Sequence, residues 1–213
     1  MSRPALAGTL VACALVVATF AAAALWTTRG FEAWTYEALR ADDAHRGRLA
    51  APPTHVRSAT GRRLALWTAN DDGAVYLLDF VYTSCPSVCQ ALGSEFTRLQ
   101  AELAATRGPA RRVRLLSLSF DVDRDGPAEL AAYARRHQAD ESRWTVAVPE
   151  TRAEAARLLA QLGVVALADG AGGYVHNGDI HVVDGRGVVR AIYAYPQWRE
   201  ALGAARRLAG GMS

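Results

Sequence analysis

Two cysteines spaced four residues apart, Cys85 and Cys89, are the side chains in this sequence best suited to metal or redox chemistry. On a helix, residues at i and i+4 lie on the same face with Cβ atoms about 5–6 Å apart, so both thiols can point at one small ion or at each other. A helix N-terminus favours thiolates, and two thiolates form a soft donor pair suited to Cu(I). The pair predicts a soft-metal site or a redox dithiol, and a buried pair with neither role remains an alternative.

The cysteine pair is predicted to lie between a buried strand and a helix. Residues 74–82 form a nearly continuous apolar run, which is typical of a strand buried on both faces. Pro86 suits the first turn of the helix that follows, and Gly108 is expected to end that helix. The apolar positions on one face of this helix recur at spacings of three and four, at Val88, Leu92, Phe96, Leu99 and Leu103.

Strands and helices alternate through the rest of the chain, which then ends in a hairpin and a helix. The predicted elements are a strand at 113–120, a helix from Pro127 to about residue 137, a strand at 144–148, a helix to Leu162, a β-hairpin of 174–183 and 188–195, and a helix at 197–208. A capping box of Thr151 and Glu154 is expected to open the helix that Gly163 closes. This order is that of an α/β, thioredoxin-like fold with an inserted unit.

The N-terminal segment predicts a membrane anchor. Residues 5–26 carry no charged side chain, and about 20 apolar residues cross the hydrocarbon core as a helix, so residues 1–27 are expected to form one uncleaved transmembrane helix. A signal peptide cleaved near Ala23 is the alternative, although its apolar region usually spans only about 7–15 residues. A lipoprotein processing box at Cys13 is a third interpretation. Residues 28–54 are expected to be a tether, and residues 55–213 the thioredoxin-like domain.

Composition and charge exclude other classes of protein. The formal net charge is +3 and the isoelectric point is about 9.0, and every basic side chain is an arginine. These arginines are scattered along the chain, whereas a nucleic-acid-binding protein usually concentrates them on one surface, so no nucleic-acid partner is expected. Three cysteines are too few for a disulfide framework, and the fold must therefore depend on its hydrophobic core.

The segment 79–89, Asp-Phe-Val-Tyr-Thr-Ser-Cys-Pro-Ser-Val-Cys, resembles the F-x-Y-T-x-C-P-x-x-C motif of the Sco (SenC) family, copper proteins that help to assemble cytochrome c oxidase. Residues 119–125 resemble the family's S-x-D-P-x-R-D stretch, and residues 174–187 its V-D-H-S…L-I-D-x-x-G segment. The resemblance runs from about residue 79 to residue 193. The chain departs from the family pattern at Gln90, where Pro is usual, and at 175–177, Val-His-Asn in place of Asp-His-Ser.

The resemblance implies that His176 is a third copper ligand beside Cys85 and Cys89. From the residues alone His181 is an equal candidate. The two histidines lie on opposite faces of a regular strand, so only one of them can face the cysteines. The family register places an aromatic strand residue at this position, so His181 is expected to be structural. The other histidines have no partner Cys or His nearby in the sequence and are expected at the surface: His45, His55 and His137.

A group of aspartates suggests a calcium loop, which the spacing then excludes. Asp121, Asp123, Asp125 and Gly126 match the first half of the D-x-D-x-D-G pattern, but the twelfth position, which should be a bidentate Glu, is Ala132. Loop hydrogen bonding and helix capping by Asp125 are the expected uses.

By the resemblance, the chain is a copper chaperone that binds Cu(I), Cu(II) or both. Its implied client is the copper-binding subunit of cytochrome c oxidase, where the dinuclear copper centre is assembled, and other copper carriers are further partners. The expected location is the inner membrane, as a single-pass protein with its soluble domain on the periplasmic side. The arginines that flank the apolar segment do not themselves favour that orientation.

The sequence leaves open whether the chain is an enzyme. The alternative function is that of a thiol–disulfide oxidoreductase acting on client cysteines through Cys85 and Cys89, which does not require His176. A peroxidase of the same fold would need an arginine beside its reactive cysteine, and the sequence does not identify one.

Overall fold

The structure is a computed structural model that describes residues 3–68, 73–105, 111–170 and 172–211, without the side chains of residues 3–6. It divides the chain into two compact units, one up to Asp43 and one from Ala44 onward. Gly108, predicted to end a helix, lies outside the described residues.

The first unit contains the long helix α1, Arg3–Thr27, and most of a shorter helix α2, Tyr36–His45. Within α1, Ala7–Thr27 is long and apolar enough to cross a membrane. After α1 the chain turns, and the Arg29 guanidinium pairs with the carboxylates of Asp42 and Asp43 on α2. Part of the segment expected to be a tether is therefore helical.

The second unit is built on a seven-stranded mixed sheet. The strands of this sheet are β1 Thr54–Ser58, β2 Arg63–Leu66, β3 Val75–Val81, β4 Val113–Ser119, β5 Trp144–Pro149, β8 Asp179–Asp184 and β9 Val189–Ala194. Their order across the sheet is β2-β1-β5-β4-β3-β8-β9. The central strands β3, β4 and β5 are parallel to one another. Helices connect them, as parallel strands require: α3 Val88–Ala104 joins β3 to β4, and α4 Pro127–Arg136 joins β4 to β5. A further helix, α5 Arg152–Gln161, follows β5.

Each face of this sheet carries its own hydrophobic core. One core packs β3, β4 and β5 against α3, α4 and the last helix, α6 Trp198–Gly211. The other includes Leu158 of α5 with Leu78 and Leu116 of the sheet, together with Ala44 and Ala51 from the segment before β1. The second compact unit thus begins before residue 55, because its core already includes Ala44.

The predicted α/β, thioredoxin-like architecture with its C-terminal hairpin and helix is confirmed, with one correction to the hairpin. Its first strand was expected to run over 174–183, but the chain leaves the main sheet at Asn177 and Gly178. Residues before this break form β7, Tyr174–His176, which pairs with β6, Ala166–Ala168, in a separate two-stranded sheet. Residues after it form β8, which pairs with β3 and β9.

Local contacts explain the break in the hairpin strand. The Asn177 side-chain oxygen accepts a hydrogen bond from the Val165 backbone N–H at 2.9 Å, which ties residue 177 to the segment before β6. Gly178 packs so closely that an added Cβ would lie 2.5 Å from Cγ2 of Val88. A larger side chain at position 178 would therefore displace Val88 or the backbone at the break.

Candidate metal centre

Cys85 and Cys89 lie at the junction of β3 and α3, as predicted, but only Cys89 is helical. The helix begins at Val88, so Cys85 lies in the loop before it rather than on its first turn. The Cys85 sulfur nevertheless faces the helix end, because it accepts the backbone N–H of Cys89 at 3.4 Å. Both cysteines are free thiols with almost no solvent exposure.

The third side chain, His176, comes from the small β6–β7 sheet. Its Nε2 lies 3.3 Å from the Cys89 sulfur, and its Nδ1 lies 2.9 Å from the carbonyl oxygen of Asn177. Because that carbonyl can only accept, Nδ1 carries the proton and Nε2 presents its lone pair to the cysteines. The Sγ atoms of Cys85 and Cys89 and a ring nitrogen of His176 all lie within 4.8 Å of one another.

The two thiols differ in acidity. Burial raises the pKa of Cys89 strongly, and the neighbouring Cys85 sulfur raises it further. Burial also acts to raise the pKa of Cys85, but hydrogen bonds from Cys89, from the backbone N–H groups at the helix start and from Tyr82 outweigh it and leave this pKa below its ordinary value. Cys85 is therefore the more readily ionised thiol, and Cys89 keeps its proton.

His176 is held in its neutral form. Burial lowers the pKa of His176 below its ordinary value, although the Asn177 carbonyl and the charge of Asp179 act in the opposite direction. A neutral imidazole is the form that coordinates a metal ion. Two sulfurs and one imidazole nitrogen form a donor set for a soft or borderline ion such as copper.

An aromatic cluster surrounds His176, and the sequence analysis did not anticipate it. The His176 ring lies 5.2 Å from that of Phe120 and 6.0 Å from that of Tyr82, between ring centroids. Tyr174 packs edge-on against both of these rings. The only signal in the sequence is the tyrosine two residues before His176, which is ambiguous because aromatic residues are common in strands.

The loop that carries Cys85 is fastened to the end of β4 by Asp125. This buried carboxylate accepts hydrogen bonds from the backbone N–H and hydroxyl of Thr83, at 2.8 and 2.6 Å, and from the hydroxyl of Ser119 at 2.5 Å. The expected loop hydrogen bonding is thus confirmed. The expected capping of α4 by Asp125 is wrong, because Gly126 occupies the N-cap position.

The other histidines follow the predictions with one exception. His181 is buried on β8, where its Nδ1 lies 3.3 Å from the Leu78 carbonyl oxygen, a structural position. His45 and His55 are exposed. His137 was expected at the surface but is buried, because its ring packs against Tyr133 and over Gly93, where an added Cβ would lie 2.5 Å from the imidazole.

Another buried acid, Asp79, lies on β3, the strand that leads to the cysteines. Its side chain has no solvent exposure, and neither carboxyl oxygen makes a well-formed hydrogen bond to any residue that the structure describes. Burial raises its pKa to about 7, an effect that the neighbouring Ser117 hydroxyl only partly offsets. Asp79 also acts through its charge on Cys89, whose pKa it raises.

Comparison with known proteins shows which family and which relatives have a similar sequence. The family model described as SCO1/SenC matches residues 63–209, more than half of the chain. A curated relative, the SCO1 protein homolog of Bacillus subtilis (strain 168), is 28% identical over 92 residues, or 43% of this chain and 45% of that protein. The matched part therefore spans less than half of the relative's length.

Solved structures share the fold. BsSco, described as a member of the Sco family of cytochrome c oxidase assembly proteins with a disulfide switch, has a TM-score of 0.66 and 20% identity, covering 76% of this chain and 95% of that one. ScoI of Bradyrhizobium japonicum with copper bound has a TM-score of 0.59 and 21% identity, covering 75% of this chain and 99% of that one.

Proposed function

Because the chain belongs to the SCO1/SenC family, we propose that it is a copper chaperone in which Cys85, Cys89 and His176 bind one copper ion and deliver it to the dinuclear copper centre of cytochrome c oxidase. The observation that carries this proposal is the convergence of the two sulfurs and an imidazole nitrogen within 4.8 Å of one another. Copper is the cargo of this protein.

The acid–base state of the three side chains supports this function. The pKa of Cys85 is lowered, which favours its thiolate, and the pKa of His176 is lowered, which favours its neutral imidazole; both shifts favour the form that binds a metal ion. The raised pKa of Cys89 means that the ion must displace the proton of this thiol. Copper is then held by a protonation-dependent bond, which a receiving protein with its own thiols can exchange.

The comparisons lend support from two directions. ScoI of Bradyrhizobium japonicum contains copper, and BsSco is a cytochrome c oxidase assembly protein. By this likeness, the partners proposed for the chain are the copper-binding subunit of cytochrome c oxidase as acceptor and other copper carriers as donors. Helix α1 would anchor the protein in the inner membrane, with the second compact unit on the periplasmic side.

The ligand set is tested by measuring Cu(I) binding to the reduced, full-length chain in detergent by competition with a chelator. We expect one ion per chain. Cys85→Ser and Cys89→Ser should each weaken binding by a factor of 100 or more, on the order of 3 kcal/mol, since each removes a soft donor. His181→Ala is the control, because a buried histidine on β8 should affect stability and leave the copper site intact. Unchanged affinity in either cysteine variant would contradict the proposal.

A second candidate is a thiol–disulfide oxidoreductase, which the opposite pKa shifts of the two thiols favour. The Cys85 thiolate would attack a client disulfide, forming a mixed disulfide and releasing one client sulfur as a thiolate. Cys89, on losing its proton, would then attack the Cys85 sulfur, freeing the reduced client and leaving a Cys85–Cys89 disulfide. Two electrons pass to the client, and an external thiol reductant must restore the pair.

His176 distinguishes the two functions, because thiol exchange does not need an imidazole ligand. Under the chaperone proposal, His176→Ala should abolish oxidase assembly while the two cysteines still cycle between dithiol and disulfide. A reductase would support near-normal assembly with the same variant. Oxidase activity in cells and the redox state of the cysteines, measured together, decide between them.

A further inference from the structure

We infer that Tyr82 is a positioning residue whose hydroxyl holds His176 beside the two cysteines; this rests on the proposed function. His176 belongs to the small sheet of β6 and β7, Ala166–Ala168 and Tyr174–His176, which we call the His176 arm. The arm is separate from the seven-stranded sheet that leads to the cysteines. The place of the imidazole therefore depends on contacts between the arm and the body of the domain.

The Tyr82 hydroxyl makes two such contacts with a single residue of the arm. It accepts the backbone N–H of Tyr174 at 3.2 Å, and its single proton can be donated either to the carbonyl oxygen of the same residue, at 3.4 Å, or to the Cys85 sulfur, whose pKa it helps to lower. Tyr82 follows directly after β3, and Tyr174 lies two residues before His176. One phenol group thus joins the end of the strand that leads to Cys85 to the strand that carries the imidazole.

The surroundings of Tyr82 indicate a closely fitted contact. Its side chain is buried and packs edge-on against the rings of Tyr174 and His176. The arm approaches so closely that a Cβ added at Gly173 would lie 3.0 Å from the Tyr82 hydroxyl oxygen. Arg124 adds a further contact from the body, because its guanidinium bonds the Gly172 carbonyl and lies over the Tyr174 ring.

Removing the hydroxyl should release the arm, and it also removes one of the hydrogen bonds that lower the pKa of Cys85. Phenylalanine at position 82 keeps the ring contacts. It leaves the N–H and carbonyl of Tyr174 without their Tyr82 partner, so the arm loses these hydrogen bonds to the body of the domain. The Cys89 sulfur and the His176 Nε2, which lie 3.3 Å apart in the parent chain, would no longer be held at this distance. Copper would then be bound by the two sulfurs with little help from the imidazole.

A double-mutant cycle in the full-length chain tests this inference. We expect Tyr82→Phe to weaken Cu(I) binding roughly tenfold. The loss in the double variant Tyr82→Phe/His176→Ala should be smaller than the sum of the two single losses, because most of the Tyr82 effect passes through His176. Tyr193→Phe is the matched control, since it removes a tyrosine hydroxyl from β9, a strand that carries none of the three donors, and it should leave the affinity unchanged. If the two losses add in full, the hydroxyl acts only through Cys85 or on the fold in general, and the inference is wrong.

A measurement without metal separates this inference from the proposed function. The imidazole NMR signals of His176 in the metal-free chain should shift in Tyr82→Phe and stay in place in Tyr193→Phe. If the parent chain binds no copper, the chaperone proposal fails while this result still decides the role of Tyr82. Unshifted His176 signals in Tyr82→Phe would overturn that role.

Discussion

Asp79 shows how strongly burial can change the acidity of a single side chain. Its carboxyl group is removed from water, and its pKa is raised from the ordinary value of 3.8 to about 7. Below pH about 4 the group is protonated in both the folded and the unfolded chain. As the pH rises towards 7, the unfolded chain releases this proton and the folded chain retains it, so the free energy of unfolding falls and reaches its reduced level above pH about 7.

Asp79→Asn should therefore stabilise the protein at neutral and alkaline pH. The amide has a similar shape and no charge to bury, and a shift of about three pH units corresponds to a gain on the order of 4 kcal/mol in the free energy of unfolding at pH 8. The gain should disappear near pH 4. Urea unfolding of the parent and the variant at both pH values measures this difference.

Asp140 provides the control for this prediction. It is exposed, and hydrogen bonds from the backbone N–H and hydroxyl of Ser142 lower its pKa. Asp140→Asn should consequently give no gain in stability at pH 8. If Asp79→Asn is no more stable than the parent at pH 8, the prediction is wrong. The free-energy cost of burying the Asp79 charge would then be offset by interactions other than its described contacts.

The sequence located the cysteines of the site more readily than the histidine. Cys85 and Cys89 stand out by their spacing alone, and their strand–helix junction follows from the apolar pattern. The choice of His176 over His181 depended on the family resemblance, because the sequence pattern predicts a single strand that contains both histidines. The chain leaves the main sheet between them, at a close approach of Gly178 to Val88 that periodicity does not encode.

At the scale of elements, the break between β7 and β8 determines where the imidazole lies. The buried central strands and the helices α3 to α6 were predictable because their apolar positions repeat with a clear period. The strands β1, β2 and β6 were not predicted, since each is short and the burial along β2 and β6 is incomplete. With four residues in β2 and three in β6, these strands leave little room for the alternation that marks a strand in the sequence.

Gly178→Ala tests the importance of this break. The new Cβ would lie 2.5 Å from Cγ2 of Val88, so either β7 or the start of α3 must move. We expect the free energy of unfolding to fall by about 1–3 kcal/mol and Cu(I) binding to weaken, because the shift separates His176 from Cys89. Thermal unfolding and chelator competition measure the two effects.

Val88→Ala supplies the rescue for that variant. It removes the methyl group that the new Cβ would meet, so the double variant Gly178→Ala/Val88→Ala should recover most of the lost copper affinity. Val88→Ala alone should have only a small effect on binding. Equal losses with and without the Val88 substitution would mean that Gly178 is required for another reason.

At the scale of the whole molecule, α1 is the feature that decides where the domain works. Almost all of its described side chains are exposed and most are apolar, which suits a lipid environment. The competing interpretation is a signal peptide, and the two differ in what remains of the chain after export. The sequence predicts the apolar helix well, whereas cleavage depends on recognition by a protease rather than on the fold.

Cell fractionation distinguishes these interpretations. An uncleaved anchor predicts that the protein stays with the inner membrane at its full mass of 22.8 kDa, and that protease added to the periplasmic face digests the domain. A mature protein beginning near Ala24 would instead show that α1 is a signal peptide. Protection of the domain from periplasmic protease would contradict the proposed orientation.

The distribution of the three donors along the chain also bears on when the ion can be acquired. Cys85 and Cys89 come from one short stretch, whereas His176 follows 87 residues after Cys89 and reaches it only through the packed small sheet. A chain that is still being synthesised or exported can therefore offer two thiols but not the imidazole. In the proposed site, three-donor coordination would become available only when folding is complete, and copper held in this way would in turn favour the folded state. The order of events in the cell would then be maturation of the polypeptide first and loading of its cargo second.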